Sequence, residues 1–137
     1  MDVQTSGRLA LQRWWIAAGI VLMLWGLYIA LEADPDLQLD FPGGDKLLHA
    51  LGFGCLVGWW GNVFSAWRAR LGAALACLAY GVLVEVLQAF TPPRSADALD
   101  LLADAIGIGT GLLLLRTPLA RVLVRIEQML PLRRSAG

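Results

Sequence analysis

Residues 84–104 read VEVLQAFTPPRSADALDLLAD and lie between two long apolar runs of the chain. This stretch carries one glutamate, one glutamine, one arginine and three aspartates at the point where bilayer-spanning helices would end and begin. An ionisable side chain at membrane depth costs free energy, so such groups are functional candidates by default. The rest of the sequence is then a frame that holds these polar side chains.

Four apolar runs form this frame and predict four transmembrane helices, at residues 14–31, 47–64, 71–90 and 98–115. Hydrophobic residues make up 58% of the 137-residue chain, more than the roughly 45–50% of ordinary soluble domains. The first run has no charged residue and would be about 27 Å long as a helix, close to the thickness of a hydrocarbon core. A cleaved signal peptide is the alternative, but its apolar part would be only about 7–15 residues long. We therefore expect a retained anchor.

Polar segments connect and follow the predicted helices. Asp45 is expected to be the N-cap of the second helix, and residues 65–71 are expected to be a loop that contains Arg68 and Arg70. Residues 117–137 predict a basic amphipathic helix and tail that lie on the membrane surface. Packing of this helix on a partner subunit is the alternative.

The predicted fold class is therefore an all-α polytopic membrane protein with a C-terminal interfacial helix. Its parts are a cytoplasmic segment at residues 1–13, a four-helix domain at 14–116 and the C-terminal part at 117–137. Nine arginines fall on the side of the two termini, and only Lys46 and Arg94 fall on the other. Because Lys and Arg are enriched in cytoplasmic loops, both termini should be cytoplasmic and residues 84–104 should face the opposite side of the membrane. In a bacterial inner membrane that side is the periplasm.

This topology brings the polar groups of three segments to one membrane level. They are Asp45, Lys46 and His49 in the second helix, Glu85 and Gln88 in the third, and Arg94, Asp97, Asp100 and Asp104 before and within the fourth. Spacings of three and four residues place the members of each group on one helix face. Glu85 and Asp104 would lie roughly 6–9 Å inside the helix ends, so they should turn away from lipid and find partners.

The predicted site has more acidic than basic groups, with five carboxylates against Lys46, His49 and Arg94. Burying this excess charge is costly, so a proton or a divalent metal ion is a candidate component. Carboxylate ligands favour Mg, Ca or Mn, and a metal set of His49, Glu85, Asp100 and Asp104 would permit zinc or manganese.

Each candidate residue has a second interpretation. His49, with Asp45 one turn earlier, could be a general base or only a hydrogen-bonded residue at a helix start. Glu85 and Asp104 could be catalytic or could form a buried clamp that joins the helices. Arg94 suits phosphate or carboxylate binding, or it could pair with Asp97 or Asp100. Asp45, Lys46, Gln88, Arg94, Asp97 and Asp100 are the candidate ligand-binding residues.

These motifs resemble the VanZ-like family of small membrane proteins, named for a member associated with teicoplanin resistance. The resemblance covers about residues 45–111 and rests on DKLLH at 45–49, on Glu85-x-x-Gln88 and on Arg94-x-x-Asp97-x-x-Asp100. Asp104 stands where such proteins are expected to have asparagine, which adds a charge. The resemblance implies a bacterial membrane protein connected with glycopeptide antibiotics or envelope glycans.

We therefore expect a site that recognises or modifies the headgroup of an envelope lipid or lipid-linked glycan. Lys46 and Arg94 would hold phosphate, while His49, Glu85 and Asp104 would transfer protons or bind metal. A non-enzymatic structural or partner protein is the alternative, and ion transport is disfavoured because no charges continue through the inner halves of the helices.

Expected partners are membrane lipids and a lipid-linked glycan or glycopeptide, with no nucleic acid. A second copy is a further candidate partner, because pairs of glycines at GxxxG spacing let helix backbones approach closely. These glycines are Gly54 and Gly58 in the second helix and Gly107 and Gly111 in the fourth.

Overall fold

The computed structural model describes residues 9–32, 41–92 and 95–130, and every regular element in these ranges is helical. The helices are α1 (Gln12–Leu31), α2 (Gly44–Val63), α3 (Trp67–Ala89), α4 (Ala98–Leu114), a 3-10 helix (Pro118–Arg121) and α5 (Val122–Met129). The prediction of an all-α fold is confirmed for this part of the chain.

Two of these helices, α1 and α3, are long and apolar enough to cross a membrane. A third span is possible only if α4 and the C-terminal helices count together, and these are bent by 77° relative to each other. The apolar character of α2 is diluted by the polar residues of its first two turns, and α4 has 17 residues. Four spans therefore remain a prediction.

The surface of the bundle is apolar and its interior is partly polar. Five large side chains of α1 are 61–62% exposed, namely Trp14, Val21, Leu24, Trp25 and Tyr28. The buried residues include the polar side chains of Glu85, Gln88, Asp100 and Asp104. A water-soluble protein rarely exposes so large an apolar surface, whereas helices that face lipid must do so. This distribution supports a membrane location.

Two predicted helix boundaries were wrong. Residues 65–71 are not a loop, because α3 already begins at Trp67 and Arg70 lies in its first turns. The Arg70 side chain donates to the carbonyl oxygens of Gly61 (2.9 Å) and Phe64 (3.1 Å), which would otherwise be unpaired at the end of α2. Asp45 is not the N-cap of α2.

The N-cap of α2 is Gly43, with φ 83°. Glycine adopts this left-handed conformation without the steric penalty that a Cβ atom would bring. Asp45 instead lies in the first turn of the helix, where its negative charge is favourable beside the helix dipole.

One end of the bundle, here called the site end, gathers the end of α1, the start of α2, the end of α3 and the start of α4. Gln88 of α3 donates to the carbonyl of Ala30 in α1 at 2.9 Å, and Lys46 of α2 donates to Asp97 before α4 at 2.8 Å. The described arginines lie toward the opposite end, which agrees with the predicted asymmetry of Lys and Arg.

Glycines let α2 and α4 pack backbone to backbone. A Cβ atom on Gly107 would collide with the carbonyl of Ala50, and one on Gly111 would lie 2.7 Å from the carbonyl oxygen of Gly54. Close backbone packing is therefore confirmed within the chain for Gly54, Gly107 and Gly111. Gly58 has open space beside it, so it does not take part in this close packing.

The C-terminal helix α5 packs on the bundle through a buried face. Leu123 and Glu127 are buried, and the Glu127 carboxylate accepts hydrogen bonds from the backbone N–H groups of Ala10 (2.6 Å) and Leu11 (2.9 Å) and from the indole of Trp15 (2.7 Å). Part of the helix face that was predicted to meet the membrane surface or another subunit is therefore used within the chain.

Candidate functional site

Lys46 is the centre of an ion-pair cluster at the site end. Its ammonium group lies 2.9 Å from Asp45, 2.8 Å from Asp97 and 3.0 Å from Asp100. A lysine has three N–H donors, and all three are matched by these carboxylates. A phosphate could contact Lys46 directly only by displacing one of them.

Asp97 also caps α4, since its side chain accepts the backbone N–H of Leu99 at 2.9 Å. The ammonium group of Lys46, followed by this backbone N–H, lowers the pKa of Asp97 below its ordinary value of 3.8. A carboxylate with a lower pKa in the folded chain than in the unfolded chain stabilises the fold above the unfolded value. That contribution is lost as the pH falls through the folded value.

In Asp97→Asn the free energy of unfolding should therefore depend less on pH in the acid range than it does in the wild type. Asparagine keeps the capping oxygen but loses the ion pair, so the wild type should be the more stable of the two above pH 3.8 and the difference should shrink below it. Thermal unfolding in detergent from neutral pH down to the acid limit measures this difference. A difference that stays constant through the acid range would contradict the assignment.

One turn deeper, the partly buried His49 pairs with the fully buried Asp104. The Nδ1 atom of His49 lies 2.8 Å from Oδ1 of Asp104, whose side chain has no exposed surface. Because the carboxylate is an acceptor, Nδ1 is assigned as the donor, and this tautomer leaves Nε2 with a free lone pair. Nε2 points toward Asp100, 3.8 Å from Oδ2. His49 also stacks on Phe53, with ring planes 5° apart.

Glu85 connects the end of α3 to the start of α4. Its Oε2 atom accepts the backbone N–H of Asp97 at 2.8 Å. Its Oε1 atom is buried and has no hydrogen-bond partner among the described residues. The same holds for Oδ2 of Asp104 and Oε1 of Gln88. Buried acceptor atoms are normally satisfied, so these three indicate that the site end offers more acceptors than the described donors can match.

The structure thus brings most of the predicted site residues together. The polar cluster consists of Asp45, Lys46, His49, Glu85, Asp97, Asp100 and Asp104. Gln88 lies one turn from Glu85 but donates to α1. Arg94 lies outside the described residues. Apart from Asp97, the cluster members sit on helices whose packing fixes their positions.

Two residues that the sequence did not single out shape the site. A Cβ atom on Gly81 would lie 2.6 Å from Oδ2 of Asp104, so only glycine leaves room for this carboxylate on the facing helix. Tyr80 packs on Phe53 and donates to the carbonyl of Met23 at 2.6 Å. Gly81 is four residues before Glu85 and so on the same helix face, a spacing that could have identified it.

An apolar groove of about 550 Å³ leads away from the cluster between α1, α2 and α3. Asp45 and His49 line one end, and the walls are mostly apolar residues such as Leu22, Met23 and Val84. Along α2 the lining runs from Asp45 to Trp59, which is about 21 Å at 1.5 Å per residue. This exceeds half of the roughly 30 Å hydrocarbon core, so the groove is long enough for the chain of a lipid in one leaflet.

The chemistry available at this end follows from His49. An imidazole whose Nδ1 is held by a buried carboxylate is oriented, and its Nε2 can accept a proton or bind a metal ion. Two further carboxylates, Glu85 and Asp100, stand within 4.8 Å of it and of each other, counted between one ligand atom of each residue. The arrangement therefore suits either proton transfer or metal binding.

Comparisons with known proteins agree with the motifs. The model of the VanZ/LLP1 family matches residues 5–122, which include the whole polar cluster and the lining of the groove. No curated protein gives a significant match, and no solved structure does. The match covers well over half of the chain and confirms the predicted family. The chain therefore belongs to the VanZ/LLP1 family.

Proposed function

We propose that the protein binds an amphiphilic molecule of the bacterial envelope, a lipid or a lipid-linked glycan. Its headgroup would lie at the polar cluster and its hydrocarbon chain in the groove. The protein would sit in the inner membrane with both termini in the cytoplasm, because the described arginines lie away from the site end. The cluster would then face the periplasm and the outer leaflet.

The observation that carries this proposal is the continuity of the groove with the cluster. Ligand sites are concave and mostly apolar, with a few polar groups that fix orientation. Here the apolar walls end at Asp45 and His49, so an amphiphile with a polar end and a long apolar tail matches the lining. A small polar solute would leave most of the groove unfilled.

The negative charge of the cluster limits which headgroups it can bind. Among the described residues it holds five carboxylates and one lysine, whose donors are already used. A bare phosphate would be repelled, so the headgroup would be an amine, or a phosphate reached through a cation or through Arg94. If the ligand is also modified, His49 Nε2 is the group placed to accept a proton.

A second candidate function is structural, with the cluster acting only as a clamp. Lys46 already joins α2 to α4, and Glu85 joins α3 to the segment before α4. The two functions differ in the groove, since a clamp does not need it.

Gly52→Leu tests the proposal by filling the groove. Gly52 lines the groove, and a Cβ atom there would meet nothing within 4 Å, so the fold should tolerate the change while the leucine occupies ligand volume. Binding of a fluorescent phosphatidylethanolamine, whose headgroup carries an amine, to the protein in detergent should weaken at least about tenfold, equal to roughly 1.4 kcal/mol. Mass spectrometry of copurified lipids should show a matching loss.

Gly109→Leu is the matched control, because a Cβ atom on this glycine also meets nothing and the residue does not line the groove. It should leave lipid binding unchanged. If both variants bind lipid as the wild type does, the groove is not a lipid site, and the structural function of the cluster is the one that is left. The family resemblance adds a cellular readout, in that Gly52→Leu should also abolish any effect of the protein on teicoplanin susceptibility.

A further inference from the structure

We infer that the polar cluster binds one divalent transition-metal ion through Nε2 of His49 and one carboxylate oxygen each of Glu85 and Asp100. One ligand atom of each of these residues lies within 4.8 Å of the other two. Ligands of a tetrahedral ion at about 2.1 Å lie roughly 3.4 Å from one another. Small rotations of the two carboxylate side chains therefore bring the three atoms to ligand spacing.

The pairing of His49 with Asp104 gives the first independent support. A histidine that binds a metal usually donates its other ring N–H to a carboxylate, which fixes the ring and the tautomer. Asp104 does this at 2.8 Å from a position with no exposed surface. Asp104 is then a positioning residue, and not the fourth ligand that the sequence suggested.

The orphaned oxygen of Glu85 gives the second support. The Glu85 side chain is buried, with the residue 8% exposed, and Oε1 has no partner among the described residues. Its other oxygen is already occupied by the backbone N–H of Asp97. A metal ion would satisfy Oε1 and offset the excess negative charge of the cluster, whereas one proton would neutralise a single carboxylate.

The ligand set indicates the class of metal. One imidazole nitrogen and two carboxylate oxygens suit zinc or manganese better than calcium or magnesium, which prefer oxygen ligands throughout. Three protein ligands leave at least one coordination position open, as in catalytic rather than structural zinc sites. If the proposed function holds, that open position is where a headgroup phosphate would reach the cluster despite its carboxylates.

The experiment uses the full chain in detergent, stripped with a chelator, desalted and titrated with Zn²⁺ or Mn²⁺ alone. Calorimetry and elemental analysis should show saturable binding of a single ion per chain. Glu85→Gln and Asp100→Asn should abolish it, and Asp104→Ala should weaken it roughly 10–100-fold because His49 loses its orienting partner. Size-exclusion profiles and circular dichroism check that each variant is folded.

Glu127→Gln is the control, because Glu127 is also a buried carboxylate but lies at the other end of the bundle and is not among the proposed ligands. It should bind the ion as the wild type does. The inference is overturned if the wild type binds no ion in a saturable way, or if Glu127→Gln loses as much affinity as Glu85→Gln. Gly52→Leu should keep metal binding, so failure of the metal site and failure of lipid binding are separable.

Discussion

Gly107→Ala is expected to force α2 and α4 apart and to lower the free energy of unfolding by about 1–3 kcal/mol or more. The added Cβ atom would overlap the carbonyl group of Ala50, which belongs to the backbone of α2 and cannot rotate away. The helices must separate, and the packing around Gly54 and Gly111 is lost with them. Thermal unfolding in detergent and the yield of monodisperse protein measure the effect.

Gly109→Ala supplies the matched control two residues along the same helix. A Cβ atom at this position meets nothing within 4 Å. Alanine also has a higher helix propensity than glycine, by about 1 kcal/mol, so this variant should be as stable as the wild type or more so. Equal unfolding temperatures for the two variants would show that α2 and α4 do not pack as closely as the structure indicates.

Helical spacing and depth predict much of the site from sequence. The intervals between Asp97, Asp100 and Asp104 place them on one stripe of a helix, and the cost of a charge at membrane depth predicts that Glu85 and Asp104 face inward. These rules predict which face of a helix is polar and at what depth in the membrane its polar residues lie. Together they predict that His49, Glu85 and Asp104 lie in one cluster, as they do in the structure.

Pairing between side chains could not be predicted in the same way. Lys46 could have reached solvent or a ligand, and two of its three carboxylate partners, Asp97 and Asp100, follow from how α2 and α4 are rotated about their axes. Gln88 shares a face with Glu85 by spacing, yet the approach of α1 directs its amide to Ala30. Such contacts depend on helix rotation and separation, which the pattern of one helix does not contain.

The buried carboxylate at the opposite end was missed for a related reason. Glu127 lies in a helix whose charged residues otherwise are arginines, and an amphipathic pattern treats any charge as solvated. Its partners are 112 to 117 residues away along the chain. A single acidic residue in a basic helix was the available signal, and it did not identify the start of α1 as the partner.

Glu127→Ala is expected to release α5 from α1 and to lower the free energy of unfolding by about 2–4 kcal/mol. The change leaves two backbone N–H groups and the indole of Trp15 without their acceptor, and an unsatisfied buried donor costs roughly 1–3 kcal/mol. It also removes a negative charge from the start of a helix, where the dipole favours one. Glu127→Gln should lower the free energy of unfolding by less, because the amide oxygen of glutamine can still accept a hydrogen bond from one or two of the donors.

Hydrogen exchange gives this prediction a local readout. In Glu127→Ala the amides of Ala10 and Leu11 should exchange faster, while the amides of α2 and α4 near the polar cluster should change little, because Ala10 and Leu11 lie at the other end of the bundle. Gln128→Ala is the control, since Gln128 is the exposed neighbour on the same helix. If Glu127→Ala and Gln128→Ala unfold at the same temperature and exchange alike, the carboxylate does not hold the two ends of the chain together.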